Sequence, residues 1–164
     1  MTPARKFALF DTAIGRCAVA WGARGIVRVQ LPEGGDTATR NRMKAQFPDA
    51  EIGEPPPIVK AAIDEIQALL RGEPRPLDGI ALDMEGVPAF HRRVYELART
   101  IAPGETLSYG DVATRVGSPG GARAVGQALG KNPFAIVVPC HRVLAADVSA
   151  AFPRTAGAPP RCAC

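Results

Sequence analysis

The chain has 164 residues and a mass of 17.2 kDa, enough for one domain of ordinary size or two small ones. Its hydrophobic fraction of 46% and charged fraction of 22% predict a packed core and exclude wholesale disorder. No apolar run approaches the ~20 residues that span a bilayer, and no signal-peptide pattern opens the chain. We therefore expect a soluble, cytoplasmic monomer without membrane contact.

The charge is spread unevenly along the chain. Residues 1–85 carry 11 Lys/Arg and 12 Asp/Glu, whereas residues 86–164 carry 9 and 4, a balance of +5. This asymmetry indicates an anionic partner for the second half, nucleic acid being the usual one, and the alternative is a solvated basic face. The four cysteines are expected to be free thiols, because the chain shows no export signal.

The first 86 residues predict a small α+β unit. Three short strands separated by Gly-bearing turns are expected at residues 7–10, 17–21 and 26–31. A helix is expected over 37–47 with Asp36 as its cap, and a more strongly amphipathic helix over 58–71, with Gly72 just past its end. Residues 80–83 fit an additional edge strand.

The chain from Val87 onward predicts helices, two of which form a helix-turn-helix. A first helix is expected to open at Pro88. Ser108 is expected to cap a short helix, with Asp111 returning the bond three residues later in a capping box. Ser118 is expected to cap the next helix, with proline at its first position.

The second helix of this pair consists almost entirely of small residues around one arginine, Arg123. Each glycine in it costs ~1 kcal/mol relative to alanine, so the helix is intrinsically weak. One interpretation is close packing against a neighbouring element. The other is that small residues let the backbone approach a bulky ligand, with Arg123 projecting towards it. A weak helix after a good cap favours the ligand interpretation.

The apolar run 134–138, expected to be a buried strand, leads into Pro139-Cys140-His141-Arg142. A thiol beside an imidazole indicates nucleophilic chemistry, because a free cysteine needs a neighbouring cation or base to form its thiolate. His141 and Arg142 are the candidates for this role. The alternatives are a cysteine that only fills the core and a zinc site with the C-terminal cysteines. The Cys-x-Cys spacing is poor for zinc, so no metal site is expected.

The motif Pro139-Cys140-His141-Arg142-Val143 resembles the O6-alkylguanine-DNA alkyltransferases, also called methylated-DNA–protein-cysteine methyltransferases. Asn132-Pro133 and the run from Ala122 to Gly126 belong to the same resemblance, which covers residues 5–147. It implies an α+β fold with a small ribonuclease-H-like domain at 1–86. A helical, winged-helix-type DNA-binding domain that carries the active cysteine would follow at 87–147.

The resemblance also implies a function. The chain would repair double-stranded DNA containing O6-alkylguanine by one stoichiometric transfer of the alkyl group to Cys140, without a cofactor. The base would be flipped out from the minor groove. The implied catalytic residues are Cys140, His141, Tyr109 and Asn132. The implied DNA-binding residues are Tyr109, Ala122, Arg123, Ala124, Gly126 and Arg142. Among these, Tyr109 would push the target phosphate, Arg123 would fill the gap left by the base, and Asn132 would order the active-site turn.

The resemblance is expected to end at Asp147. The family continues with a Gly-rich loop and a helix whose Glu activates the cysteine through the histidine. Residues 148–164 contain no Glu and three prolines, which predicts a disordered tail, interpreted as an out-of-frame or truncated ending of a GC-rich gene. Transfer is then expected to be slow or absent. The alternative is a catalytically inactive protein that binds DNA or alkyl lesions, and a cysteine hydrolase is a more distant one.

Overall fold

The computed structural model describes residues 5–145, a mixed α+β protein that divides into two units. The first unit comprises the chain up to Met84 together with Pro133–Val137. The second comprises Glu85–Asn132 and the chain from Val138 onward. The chain therefore leaves the first unit, returns to it for a short segment and leaves it again. The predicted tail at 148–164 lies outside the described residues.

The first unit is built on a four-stranded sheet with the strand order β3-β2-β1-β4. The strands are β1 (Lys6–Thr12), β2 (Gly15–Gly22), β3 (Gly25–Gln30) and β4 (Glu51–Ile52). The first three form the predicted antiparallel meander, and β4 adds a short parallel pairing with β1. The pairing with β4 carried no signal in the sequence, because a two-residue strand has no periodicity to detect.

Two helices pack on this sheet, α1 (Asp36–Gln46) and α2 (Pro57–Leu70). Met43 of α1 lies in a buried cluster with Phe7, Ala18 and Ala20 of the strands. Phe7 and Ala20 are cross-strand partners, so their side chains project from one face of the sheet towards the helix. Both helices lie within one residue of their predicted ranges, since a proline or glycine lies near each of their ends. A clear apolar stripe is found in α2, whereas in α1 Met43 is the one buried apolar residue.

The prediction that Asp36 caps α1 is wrong by one position. Gly35 occupies the N-cap with a φ of 151°, and Asp36 is the first helical residue. The Asp36 carboxylate accepts a hydrogen bond from the Arg16 guanidinium of β2 and makes no capping bond. Its negative charge still favours the helix through the macrodipole.

The predicted edge strand at 80–83 is reduced to a single bridge between Leu82 and Ile26 of β3. Ile26 donates its N–H to the Ala81 carbonyl at 3.0 Å, and Asp83 donates to the Ile26 carbonyl at 2.8 Å. These bonds cover one part of the outer edge of β3, which would otherwise present unpaired backbone groups.

The apolar run 134–138 is largely buried, as predicted, but it is not a strand. It pairs with the sheet through a bridge between Phe134 and Val29 of β3. Farther along, Val137 donates to the carbonyl two residues back at 2.9 Å, which makes a γ-turn across Ile136. The φ of Ile136 is +74°, a rare and strained value for a β-branched residue. Hydrophobic periodicity cannot signal such a turn.

The described part of the second unit, up to residue 145, contains three α-helices, α3 (Ala89–Ala98), α4 (Tyr109–Arg115) and α5 (Ala122–Gly130). Its two-stranded parallel sheet consists of β5 (Leu107–Ser108) and β6 (Val143–Leu144). A 3₁₀ turn at Cys140–Arg142 directly precedes β6, and β5 directly precedes α4. The parallel pairing therefore brings the start of α4 and the end of this turn to the same small sheet. No helix among residues 5–145 is long and apolar enough to cross a membrane.

Ser108 caps α4 as predicted. The Asp111 N–H donates to Ser108 Oγ at 3.0 Å, and the Ser108 N–H donates to Asp111 Oδ2 at 3.1 Å. The prediction that Ser118 caps α5 is wrong, because Gly121 occupies the N-cap and donates to the Ser118 carbonyl at 2.9 Å in a tight turn. A Cβ at Gly121 would lie 2.8 Å from the Ser118 carbonyl oxygen, a backbone atom, so this turn favours glycine.

Candidate functional site

The 3₁₀ turn presents a buried cysteine on a backbone fixed from both sides. Cys140 donates its N–H to the Val138 carbonyl at 2.8 Å across Pro139, whose φ of −79° and ψ of 70° define an inverse γ-turn. Arg142 donates its N–H to the Pro139 carbonyl at 2.9 Å. Cys140 itself is 7% exposed. The direction of its side chain is thus set by two successive turns and not by a strand.

Asn132 lies just beyond the end of α5 and reaches the same turn. Its N–H donates to the Leu129 carbonyl of α5 at 3.2 Å, and its Nδ2 donates to the Val138 carbonyl at 3.1 Å. The Val138 carbonyl thus accepts from both Asn132 and Cys140. This is the contact that an ordering role for Asn132 requires, since it ties the turn to the helix before it.

His141 is half-buried beside the cysteine. Burial lowers the pKa of His141, and the positive charge of Arg142 lowers it further. The imidazole is therefore neutral at neutral pH and can accept a proton. The sequence placed a base next to the thiol, and the structure adds the reason why that base is in the unprotonated form.

The two cysteines among residues 5–145, Cys17 and Cys140, differ in their bonding state. Cys17 is free and buried, as predicted, whereas Cys140 is not a free thiol in this structure. The prediction of free thiols is thus wrong for Cys140, because an absent export signal gives the same expectation for every cysteine of a chain. The thiolate is the nucleophilic form, so chemistry at Cys140 belongs to the reduced chain.

Tyr109 is the first residue of α4, and its ring lies against α5. A Cβ at Gly126 would lie 3.9 Å from Tyr109 Cε1, so the glycine leaves the ring close to the helix backbone. Arg123 is exposed and makes none of the hydrogen bonds or ion pairs found among residues 5–145. The other exposed residues of α5 are Ala124, Gln127 and Gly130. Ala122, at the start of α5, is half-buried. The exposed face of α5 therefore consists mainly of small side chains, with Arg123 as its one charged residue.

Arg142, in contrast, is buried at 8% exposure. Its Nη1 donates to the Ile101 carbonyl at 2.8 Å, and burial lowers the pKa of the guanidinium, which nonetheless stays charged. A side chain that contacts a DNA phosphate has to be accessible at the surface. This placement does not fit the DNA contact expected of Arg142.

Tyr95 of α3 was not singled out by the sequence, although it bears on the same region. Its side chain is 1% exposed, and its hydroxyl donates to the Ala128 carbonyl of α5 at 2.6 Å. Burial raises the pKa of Tyr95 to about 12, so the hydroxyl keeps its proton and remains a donor. The sequence gives no sign of this bond, since its acceptor is a backbone atom.

The described residues offer no alternative centre for metal chemistry. Among residues 5–145 there is no group of three or more His, Cys, Asp or Glu side chains that could hold a metal ion.

Comparison with known proteins addresses both the family and the extent of the match. The profile of the 6-O-methylguanine DNA methyltransferase DNA-binding domain matches residues 89–159. The match continues past Asp147, so the prediction that the resemblance ends there is wrong. A profile weighs residue types along a whole domain, whereas the prediction relied on a few motifs and on one missing Glu.

Relatives and solved structures agree with this match. The methylated-DNA–protein-cysteine methyltransferase of Mycolicibacterium paratuberculosis is 50% identical over 57% of this chain and 56% of its own length. That of Methanosarcina acetivorans is 33% identical over 86% of this chain and 84% of its own length. The chain spans about half the length of the first curated relatives it matches. A crystal structure of Mycobacterium tuberculosis OGT in complex with DNA matches with a TM-score of 0.65 and 31% identity, covering 87% of this chain and 80% of that one. This chain therefore belongs to the methylated-DNA–protein-cysteine methyltransferase family.

Proposed function

We propose that this chain repairs O6-alkylguanine in double-stranded DNA by moving the alkyl group to Cys140, once per molecule. The observation that carries the proposal is the placement of Cys140 on a backbone-fixed turn beside a neutral imidazole, in a chain of this family. A thiol in such surroundings is suited to losing its proton when an electrophile is presented to it.

The side chains of this protein can accept and donate the protons that the proposed alkyl transfer requires. His141 accepts the thiol proton, and the Cys140 thiolate attacks the alkyl carbon on O6 of the base. The C–S bond forms as the C–O6 bond breaks, and the electron pair moves into the purine. The purine takes a proton at N1, for which Tyr109 is the proposed donor, and leaves as guanine. The thioether at Cys140 is stable, so each molecule acts once and no cofactor enters the balance.

The surface of α5 supports DNA as the partner. Its small residues, Ala122, Ala124 and Gly126, allow the backbone to approach the minor groove closely, and Arg123 would fill the space of the flipped base. Tyr109, whose ring lies against α5, would push the target phosphate. The balance of +5 over residues 86–164 favours binding to a phosphate backbone.

The same proposal assigns a fold to each unit. The first would be a ribonuclease-H-like domain over residues 1–86, which its mixed sheet and two packed helices support. The second would be a winged-helix-type domain over residues 87–147, with α4 and α5 as its helix-turn-helix. A monomer in the cytoplasm is the state that we propose for the acting protein.

Intact mass spectrometry of the reduced chain tests the proposed reaction. After treatment with a thiol reductant and incubation with a duplex carrying one O6-methylguanine, we expect the chain to gain one methyl group, mapped to Cys140. Cys140→Ala and a duplex with unmodified guanine are the controls, and neither should give a gain. Duplex binding without any gain in mass would contradict the proposal and indicate instead a catalytically inactive lesion-binding protein.

The pH dependence of the transfer follows from His141. Because its pKa lies below the ordinary value of 6.5, the imidazole stays unprotonated at neutral pH and gains a proton only as the pH falls through that lowered pKa. We therefore expect the single-turnover rate at saturating duplex to decline on the acid side with a midpoint below pH 6.5. Rapid-quench kinetics over the acid range measures this midpoint, with duplex affinity followed in parallel. A midpoint above pH 6.5 would show that another group accepts the thiol proton.

A further inference from the structure

We infer that Arg142 is a positioning residue for the transfer: its buried guanidinium anchors the turn that carries Cys140 and His141 to the carbonyl of Ile101. The inference rests on the proposed function, and it replaces the DNA contact that the sequence suggested for this arginine. The anchor would fix where the thiol lies relative to the segment that carries Tyr109.

The burial of Arg142 is the first observation. Among residues 5–145 it is the one charged side chain in the buried class, which otherwise contains apolar residues and two uncharged polar ones. Removing a guanidinium from water is unfavourable unless hydrogen bonds compensate. The bond from Arg142 Nη1 to the Ile101 carbonyl, at 2.8 Å, has the length of a charge-assisted hydrogen bond. The charge is thus held at one defined place in the second unit.

The position of the acceptor is the second observation. Ile101 is 4% exposed and follows α3, where its N–H donates to the Ala98 carbonyl at 3.1 Å. The chain then leads to β5 and directly into Tyr109. Because β5 pairs with β6 and β6 directly follows Arg142, the segment from Ile101 to Tyr109 meets the turn at two points. One is the β5–β6 ladder and the other is the Arg142 side chain.

The consequence concerns the reacting geometry. A thiol that attacks a flipped base has to meet the alkyl carbon in line, and a misplacement of about 1 Å can cost on the order of 100-fold in rate. The Asn132–Val138 bond holds the turn at its start and the β5–β6 ladder holds it at its end, whereas the Arg142 side chain attaches it between the two, beside the nucleophile. Loss of the anchor should therefore slow the chemical step and leave the DNA-binding face of α5 unchanged.

The test compares Arg142→Gln and Arg142→Lys with the reduced wild-type chain, with Arg71→Gln as the matched control for loss of a cation outside the site. Arg71 is exposed in the first unit and pairs with Glu73. We expect Arg142→Gln to lower the single-turnover rate at saturating O6-methylguanine duplex by about tenfold or more. Its duplex Kd should stay within about twofold of wild type, and its salt dependence should be unchanged. Arg142→Lys should recover part of the rate, because an ammonium can still donate to the Ile101 carbonyl.

The pH profile supplies a readout that a purely structural role would not move. The positive charge of Arg142 contributes to lowering the pKa of His141. The acid midpoint of the transfer rate should therefore rise in Arg142→Gln and stay near the wild-type value in Arg142→Lys. An unchanged midpoint and an unchanged rate in a folded Arg142→Gln would overturn the inference.

A DNA contact gives a different result. If Arg142 touches a phosphate, its replacement by Gln raises the duplex Kd and lowers the slope of log K against log salt by about one, with the saturated rate unaffected. That result would also overturn the inference. Should Arg142→Gln not fold, Arg142→Lys decides alone through the split between rate and affinity: a lowered saturated rate at unchanged Kd supports the anchor, and a raised Kd at the wild-type saturated rate opposes it. Absence of methyl transfer in the wild-type chain would instead count against the proposed function itself.

Discussion

Replacement of Cys140 by serine will abolish alkyl transfer and leave the affinity for a lesion-bearing duplex within about twofold of that of the reduced wild-type chain. Serine keeps the shape of the side chain, so the turn between Pro139 and Arg142 and the surface of α5 are retained. A hydroxyl, however, ionises far less readily than a thiol, and the neutral His141 is too weak a base to generate its anion. Only the nucleophile is removed.

The measurement is a single-turnover incubation read by intact mass, together with a duplex-binding titration on the same preparation. Cys17→Ala is the matched control, because Cys17 is also a buried cysteine but lies in β2 of the first unit. It should transfer at the wild-type rate at temperatures where the chain is folded. A methyl group found on Cys140→Ser, or on Cys17 of the wild-type chain, would contradict the assignment of the nucleophile.

The second large effect concerns stability. Gly25→Ala will lower the free energy of unfolding by about 3 kcal/mol, because it combines a strained backbone with a steric overlap. The φ of Gly25 is +137°, and a Cβ there would lie 2.6 Å from the Ala81 carbonyl oxygen. That carbonyl accepts the Ile26 N–H, so relieving the overlap would also displace one of the segments that cover β3.

Gly22→Ala is the control for this substitution. Gly22 lies at the other side of the same β-turn, and a Cβ there would meet no atom of residues 5–145 within 4 Å beyond its own chain neighbours. The expected cost of that change is under about 1 kcal/mol. Urea unfolding followed by the fluorescence of Trp21, the single tryptophan and a buried residue of β2, measures both variants. Equal losses in the two would show that the approach of Ala81 to Gly25 does not contribute to stability.

The parts of the fold that the sequence predicted are those with local signals. The meander and α2 follow from short alternating or helical apolar patterns between glycine and proline breaks, and α1 follows from the breaks on either side of it. The Ser108–Asp111 capping box is correct because both partners lie within one helical turn. Asp36 was misassigned as a cap because its partner, Arg16, comes from a strand twenty residues earlier. The residue pattern around a helix terminus does not reveal a partner on a distant strand.

Some features of the candidate site could likewise be predicted from the sequence, and others could not. The adjacency of Cys140 and His141 is evident from the sequence, and so is the position of Arg123 among small residues. The anchor between Arg142 and Ile101 joins positions 41 residues apart, and its acceptor is a backbone oxygen that no residue type announces. The run 134–138 was predicted wrongly as a strand for a third reason: its apolar residues are largely buried, but the positive φ of Ile136 runs against the preference of a β-branched residue, so the sequence does not predict it.

The return of Pro133–Val137 to the first unit has a consequence for dissecting the protein. A fragment ending at Met84 lacks the bridge between Phe134 and Val29, together with the bond from the Val29 N–H to the Pro133 carbonyl at 2.9 Å. The backbone groups of β3 around Val29 then lose their hydrogen-bond partners and are exposed at the edge of the sheet. An exposed strand edge of this kind can pair with a strand of another molecule. Neither unit is a contiguous gene segment. A cut at the boundary between them would yield a self-associating product and not an isolated domain.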